Sequence, residues 1–287
     1  MQSLYQLNIE EYRMSHSDEV MIAVAPNGAR KTRQDHPQLP ISPKELAHTA
    51  AACRDVGACM LHLHIRDEKL GHSLDAQRYR EAIRAIRQQV GEELIIQITT
   101  EAVGIYNREQ QMQTVSQVRP EAVSLAIREI SPAGADEKTS AEFFSFLQRE
   151  HIAPQYILYD KEDILHFNKL LQRGIVPDEN ISVLLVLGRH AQNQQSDAAD
   201  IAPLLSHLSE VQHWSLCAFG ASEAACMIDA IQRGGHCRVG FENNLLLSDG
   251  SLAADNAALV ETVVAGALLL DRTLASASDA RRMLGMN

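Results

Sequence analysis

Cys59-Met60-Leu61-His62-Leu63-His64-Ile65-Arg66-Asp67 reads as a buried strand that delivers polar groups at one end. Histidines alternate with apolar residues, and a strand has a side-chain period of two, so His62 and His64 point to the same side. A helix-like stretch follows at 75–90, with Tyr79, Ile83, Ile86 and Val90 at helical spacing. Strand followed by amphipathic helix is the repeating unit of α/β proteins.

The same unit recurs in both directions from this stretch. Strand-like runs lie at 20–26, 58–65, 94–100, 122–127, 155–160, 181–188, 213–219 and 236–242. Helix-like stretches separate them, at 109–118, 141–151, 162–173, 197–208, 222–233 and 256–270. Another opens at Ser42-Pro43-Lys44-Glu45, with an N-cap, Pro in the first turn and Glu at the third position. Several strands are nearly continuous apolar runs, as parallel strands buried on both faces require. Eight strands each followed by a helix are what a (β/α)8 TIM barrel needs, and roughly 250 residues is its usual size. The rival is an open doubly wound sheet, which often carries a glycine-rich phosphate turn after its first strand. Here that turn reads Ala25-Pro26-Asn27-Gly28-Ala29-Arg30, with no GxGxxG. The barrel is therefore the expectation, as a single domain over 1–287 with 1–19 as a polar N-terminal extension.

The chain has 287 residues, 45% of them hydrophobic, enough for a substantial core. A formal net charge of −11 disfavours binding to nucleic acid or to an anionic membrane. No apolar run reaches the length of a transmembrane helix, and the first 19 residues lack the apolar centre of a signal peptide. The five cysteines form no CxxC pair and sit in apolar segments, which fits reduced, buried thiols in a cytoplasmic protein.

In a barrel, catalytic groups collect at the C-terminal ends of the strands. His62 and His64 lie at that end of the second strand and Glu242 ends the eighth. Thr99 and Thr100 end the third, Ser124 lies in the fourth, and Asp160 ends the fifth. Two histidines plus one carboxylate, with a position left open, is a catalytic zinc arrangement. The histidine pair taken alone also fits a polar strand face or hydrogen-bonded core histidines.

Taken together, Asn27-Gly28-Ala29-Arg30, Asp35-His36-Pro37-Gln38-Leu39-Pro40-Ile41, His62-Leu63-His64-Ile65-Arg66, Gln97-Ile98-Thr99-Thr100 and Gly234-Gly235-His236-Cys237-Arg238-Val239-Gly240-Phe241-Glu242 occur in an order that resembles the β-keto acid cleavage enzymes. Asp249-Gly250 and Ala253-Ala254-Asp255-Asn256-Ala257 extend the likeness, which covers nearly the whole chain from about Val20 onward. The founding activity of that family is 3-keto-5-aminohexanoate cleavage. The resemblance implies an oligomeric, zinc-dependent barrel that condenses a β-keto acid with acetyl-CoA and cleaves the product to acetoacetate and a new acyl-CoA. It implies His62, His64 and Glu242 as zinc ligands. Arg238 would take part in catalysis, and on a strand it would face the same way as Glu242, four residues on. Thr99 and Ser124 match hydroxyl residues that bind and polarise reacting groups, although each also fits a barrel hydroxyl bonded to backbone. Arg238 likewise also fits a structural salt bridge to Glu242.

Three departures from the founding enzyme matter, the first for proton transfer and the other two for substrate. Asn243 follows Glu242 where that enzyme has Asp, and an amide cannot take up a proton as a carboxylate does. Arg30 stands where it has Glu, and Ile157 where it has another Glu. Losing two acids and gaining a cation argues for a neutral or anionic keto acid, with Arg30 contacting its far end. Alternatively, Arg30, Lys31 and Arg33 form a solvated charge run. Thr100 and Arg189 are further substrate-binding candidates, Arg128-Glu129 reads as a loop ion pair, and His36 as a structural turn residue. A zinc-dependent barrel hydrolase and a noncatalytic metabolite-binding barrel are the competing functions.

Overall fold

The computed structural model describes residues 18–286. Eight parallel strands close into a barrel: β1 (Ile22–Val24), β2 (Met60–Leu63), β3 (Ile95–Thr99), β4 (Ala122–Ala126), β5 (Ala153–Leu158), β6 (Ser182–Leu187), β7 (His213–Ala218) and β8 (His236–Val239). Each strand pairs with its sequence neighbours, and β8 pairs with β1 to complete the ring. The expected (β/α)8 architecture is therefore present. Of the expected extension, 1–17 lies outside the described residues, and Glu19–Val20 pairs in parallel with Thr273–Leu274.

The helices follow their sequence signals. In α1 (Pro43–Asp55) the Ser42 hydroxyl accepts from Glu45 N and the Glu45 carboxylate from Ser42 N, which closes a capping box. In α2 (Ala76–Val90) Tyr79, Ala82, Ile86 and Val90 are buried, while Ile83 is only half-buried. These side chains join Leu61, Leu63, Ile96 and Ile98 in the layer between barrel and helices. That apolar layer supplies the main favourable term of folding. The stretch expected as a helix at 197–208 shortens to Ile201–Leu205 after a turn at Ala198–Asp200. Pro203 within it lacks the N–H a longer helix uses.

Two strand ends differ from expectation, and both shape the site. β2 stops at Leu63, and Ile65–Arg66 turns away to pair antiparallel with His72–Ser73. His64 is therefore past the strand rather than on it. β8 stops at Val239, because Gly240 takes φ +131° and a Cβ there would sit 2.5 Å from the Ala25 carbonyl oxygen. Glu242 thus lies on a turn and shares no strand face with Arg238. All five cysteines are buried and unpaired. Among the described residues no helix is long and apolar enough to cross a membrane.

Candidate active site

The turn after β8 brings Glu242 onto the two histidines. His62 Nε2 and His64 Nε2 are 3.2 Å apart, and Glu242 Oε2 lies 3.6 Å from the first and 3.3 Å from the second. A tetrahedral zinc with bonds of about 2.0–2.1 Å needs ligand atoms about 3.3–3.4 Å apart. The three atoms therefore form one face of such a tetrahedron and leave a fourth corner open. Both imidazoles are buried, and Glu242 Oε2 is buried with no hydrogen-bond partner. An unpartnered buried carboxylate oxygen facing two imidazole nitrogens is a donor set that suits a divalent metal.

The charge states agree with that use. Burial, reinforced by Arg238, pushes His62 down to about 3, so its imidazole is neutral. Burial pushes the Glu242 carboxyl up, but Arg238 first and then His64 override it and hold the group well below the usual carboxylate range. Gln97 Oε1 lies 2.8 Å from His62 Nδ1. Gln97 Nε2 donates to Gln155 Oε1, and Gln155 Nε2 to Ser182 Oγ and Ser215 Oγ, so a ladder of polar groups inside the barrel orients the His62 ring.

A cleft opens beside this trio, with His62 and Glu242 in its lining. Arg238 is buried in its floor, with Nη2 3.5 Å from Glu242 Oε1 and donating to Cys217 Sγ at 3.3 Å, while Nε has no partner. Ser124 Oγ also faces the cleft without a partner. Thr99 Oγ1 accepts from Glu101 N at 3.0 Å and keeps its own proton free to donate. Thr100 differs: its hydroxyl donates to the Ser124 carbonyl, the bond of an ordinary barrel hydroxyl. Asn243 is buried behind Arg238 and donates Nδ2 to the Arg238 carbonyl at 3.2 Å. Ile157, Val186 and Phe219 form the apolar wall.

The rim carries the charges. Arg189 and Glu101 line the cleft and Arg30 does not: Arg30 Nη1 donates from outside it to Glu101 Oε1 at 2.7 Å, and Arg189 Nη2 reaches the same oxygen at 3.3 Å. In the stretch Arg30, Lys31, Arg33 the two arginines stay half exposed, and every cation has a partner. Arg33 pairs with Glu45, and Lys31 Nζ donates to the Glu242 carbonyl at 2.7 Å. Arg128 and Glu129 do not pair with each other: Arg128 binds Asp160 and Asp163, and Glu129 accepts from Gln111 and Ala102 N. Asp160 is past its strand, capping the helix Lys161–Gln172, and does not reach the cleft lining. His36 is buried, bonding the Ala253 carbonyl and Gln38 N, a structural role.

Two residues central to this arrangement, Gln97 and Glu101, have no role assigned from the sequence. Gln97 alternates with Thr99 along β3, so the period-two rule that selects Thr99 also selects it. Glu101 directly follows Thr100 at a strand's C-terminal end, where barrel chemistry sits.

The family model for β-keto acid cleavage enzymes matches residues 19–286. A protein of Fusobacterium nucleatum subsp. nucleatum named 3-keto-5-aminohexanoate cleavage enzyme is 28% identical, covering 94% of this chain and 98% of its own. A Cupriavidus necator protein named 3-oxoadipate:acetyl-CoA acetyltransferase is 26% identical over 93% of this chain and 94% of its own. Among solved structures, apo ObcA superposes with a TM-score of 0.69 at 16% identity, covering 87% of this chain and 66% of that longer one, a likeness of fold.

Proposed function

The chain belongs to the β-keto acid cleavage enzyme family and is an enzyme, and on that premise we propose that it exchanges acyl groups between a β-keto acid and acetyl-CoA. The products are acetoacetate and a new acyl-CoA. Relatives named for acetyl-CoA-dependent transfer support the co-substrate. The observation that carries the reading is the trio His62, His64 and Glu242, spaced for a tetrahedral metal beside the unpartnered Arg238 Nε and Ser124 Oγ.

His62, His64 and Glu242 would hold zinc, which when bound acts as a Lewis acid on keto and carboxylate oxygens. Arg238 presents a buried, permanently charged donor to the oxygen on which negative charge develops. Ser124 and Thr99 offer hydroxyl donors to the same cleft. Asn243 fixes Arg238 through its carbonyl and takes no proton. Thr100 shapes the wall through its bond to Ser124.

Substrate charge follows from the rim. Two guanidiniums, Arg30 and Arg189, face the one carboxylate of Glu101, and Ile157 adds an apolar wall. One positive charge is left over, which suits a neutral or anionic keto acid and repels a cationic one.

The test follows carbon. With acetyl-CoA labelled at the carbonyl, acyl exchange places the label at the keto carbon of acetoacetate. Labelled acetate, or no labelled acetoacetate with any β-keto acid, would contradict the proposal.

A further inference from the structure

Arg66 lies two residues beyond His64, yet its guanidinium does not line the cleft. It is spent on backbone carbonyls. Nε and Nη2 donate to Gly28 O at 3.2 and 2.6 Å, Nη2 also to Lys31 O at 2.9 Å, and Nη1 to Leu70 O at 3.0 Å. Arg66 thereby fixes the loop after β1 to the segment that carries both histidines. Lys31, on that loop, reaches the other way and donates Nζ to the Glu242 carbonyl at 2.7 Å. The rest of the Glu242 turn is held on its N–H side: Gly240 N donates to Glu223 Oε1, Phe241 N to Asn256 Oδ1 and Glu242 N to Ala25 O.

We propose that Lys31 is a positioning residue for the metal site, gripping Glu242 by its carbonyl at a distance from His62 and His64 that Arg66 sets. This rests on the metal-site reading above. The bond is short and charge-assisted, the strong class of hydrogen bond. Lys31 is half-buried and does not line the cleft, so its effect reaches the chemistry only through Glu242. Outer partners of metal ligands of this kind typically set affinity by about 10- to 100-fold.

The experiment titrates zinc alone into the full chain, stripped by a chelator, against a competing indicator. Wild type, Lys31→Met, Lys31→Arg and the double variant His62→Ala/His64→Ala are compared, each with the thermal midpoint of its stripped form. Lys31→Met weakens zinc binding about 10- to 100-fold while its stripped midpoint stays near that of wild type, and Lys31→Arg, which keeps a charged donor, recovers most of the affinity. Should Lys31→Met fail to fold, Lys31→Gln, with a shorter neutral donor, carries the same expectation. Wild-type affinity in Lys31→Met overturns the proposal, as does a loss that tracks a fall in the stripped midpoint. If wild type binds zinc no more tightly than the double histidine variant, the metal reading itself fails, and the positioning role with it.

Discussion

Gln97 Oε1 sits 2.8 Å from His62 Nδ1, and this contact decides which imidazole nitrogen faces Glu242. A carboxamide oxygen only accepts, so Nδ1 carries the proton and Nε2 presents its lone pair to the site. Gln155, backed by Ser182 and Ser215, keeps the Gln97 amide in that orientation. Gln97→Leu preserves bulk and removes the acceptor. Zinc affinity is then expected to fall about 10- to 100-fold, while Gln97→Glu, which keeps an acceptor, retains it. Calorimetric titration decides, and an unchanged affinity in Gln97→Leu would count against the role.

Gly28 makes room for the Glu242 carboxylate. Its φ is +61°, and a Cβ there would lie 2.6 Å from Glu242 Cγ. Gly28→Ala is expected to cost about 1 kcal/mol from backbone strain alone. It also pushes Glu242 off the histidines, so metal-dependent turnover falls much further than stability does. Parallel losses in a melt and a rate assay would contradict the account.

The Glu242 turn also predicts a dependence on pH. Burial pushes the Glu223 carboxyl up to about 8 from 4.5, against the pull of Asn244, Gly240, Lys31 and Arg238. Between those values the folded state holds a proton that the unfolded chain has released. The contribution of Glu223 to stability is therefore full below about 4.5 and is lost as pH rises through about 8. Glu223→Gln mimics the protonated form. Denaturant unfolding at pH 5 and 8 should show the variant gaining on wild type at the higher pH, by on the order of a few kcal/mol. A difference that stays constant with pH removes the argument.

Much of this was legible in the chain because parallel barrel strands are buried on both faces and so read as apolar runs. The polar residues at their C-terminal ends, His62, His64 and Thr99, stand out against that background. What escaped was backbone direction and long-range pairing. The hydrophobic pattern continues through Val239-Gly240-Phe241, so nothing in it marks the left-handed turn that ends β8 before Glu242. Arg30 and Glu101 are 71 residues apart, and only closure of the barrel shows that the carboxylate answers two arginines. Within the cations at 30–33, only the structure shows that Lys31 turns inward to the Glu242 carbonyl while Arg30 and Arg33 stay at the surface in ion pairs.

The rim charge predicts selectivity. Replacing Arg30 by Glu reverses a charge beside Glu101 and leaves Arg189 alone against two carboxylates. The ratio of kcat/KM for anionic over cationic keto acids should fall by about tenfold or more, the factor that 1.4 kcal/mol represents. Arg30 is half exposed, so the effect should shrink as salt is raised. An unaltered ratio at low salt would remove Arg30 from substrate choice.

Acetoacetate formation from acetyl-CoA and a panel of cationic, neutral and anionic β-keto acids, by the full chain stripped of metal and then reloaded with zinc, tests the central claim most directly. Turnover should vanish on stripping, return with zinc, and stay absent at any zinc concentration in His62→Ala/His64→Ala. Turnover that survives stripping, or that persists in the double variant, would contradict a metal held by His62, His64 and Glu242 as the centre of the chemistry.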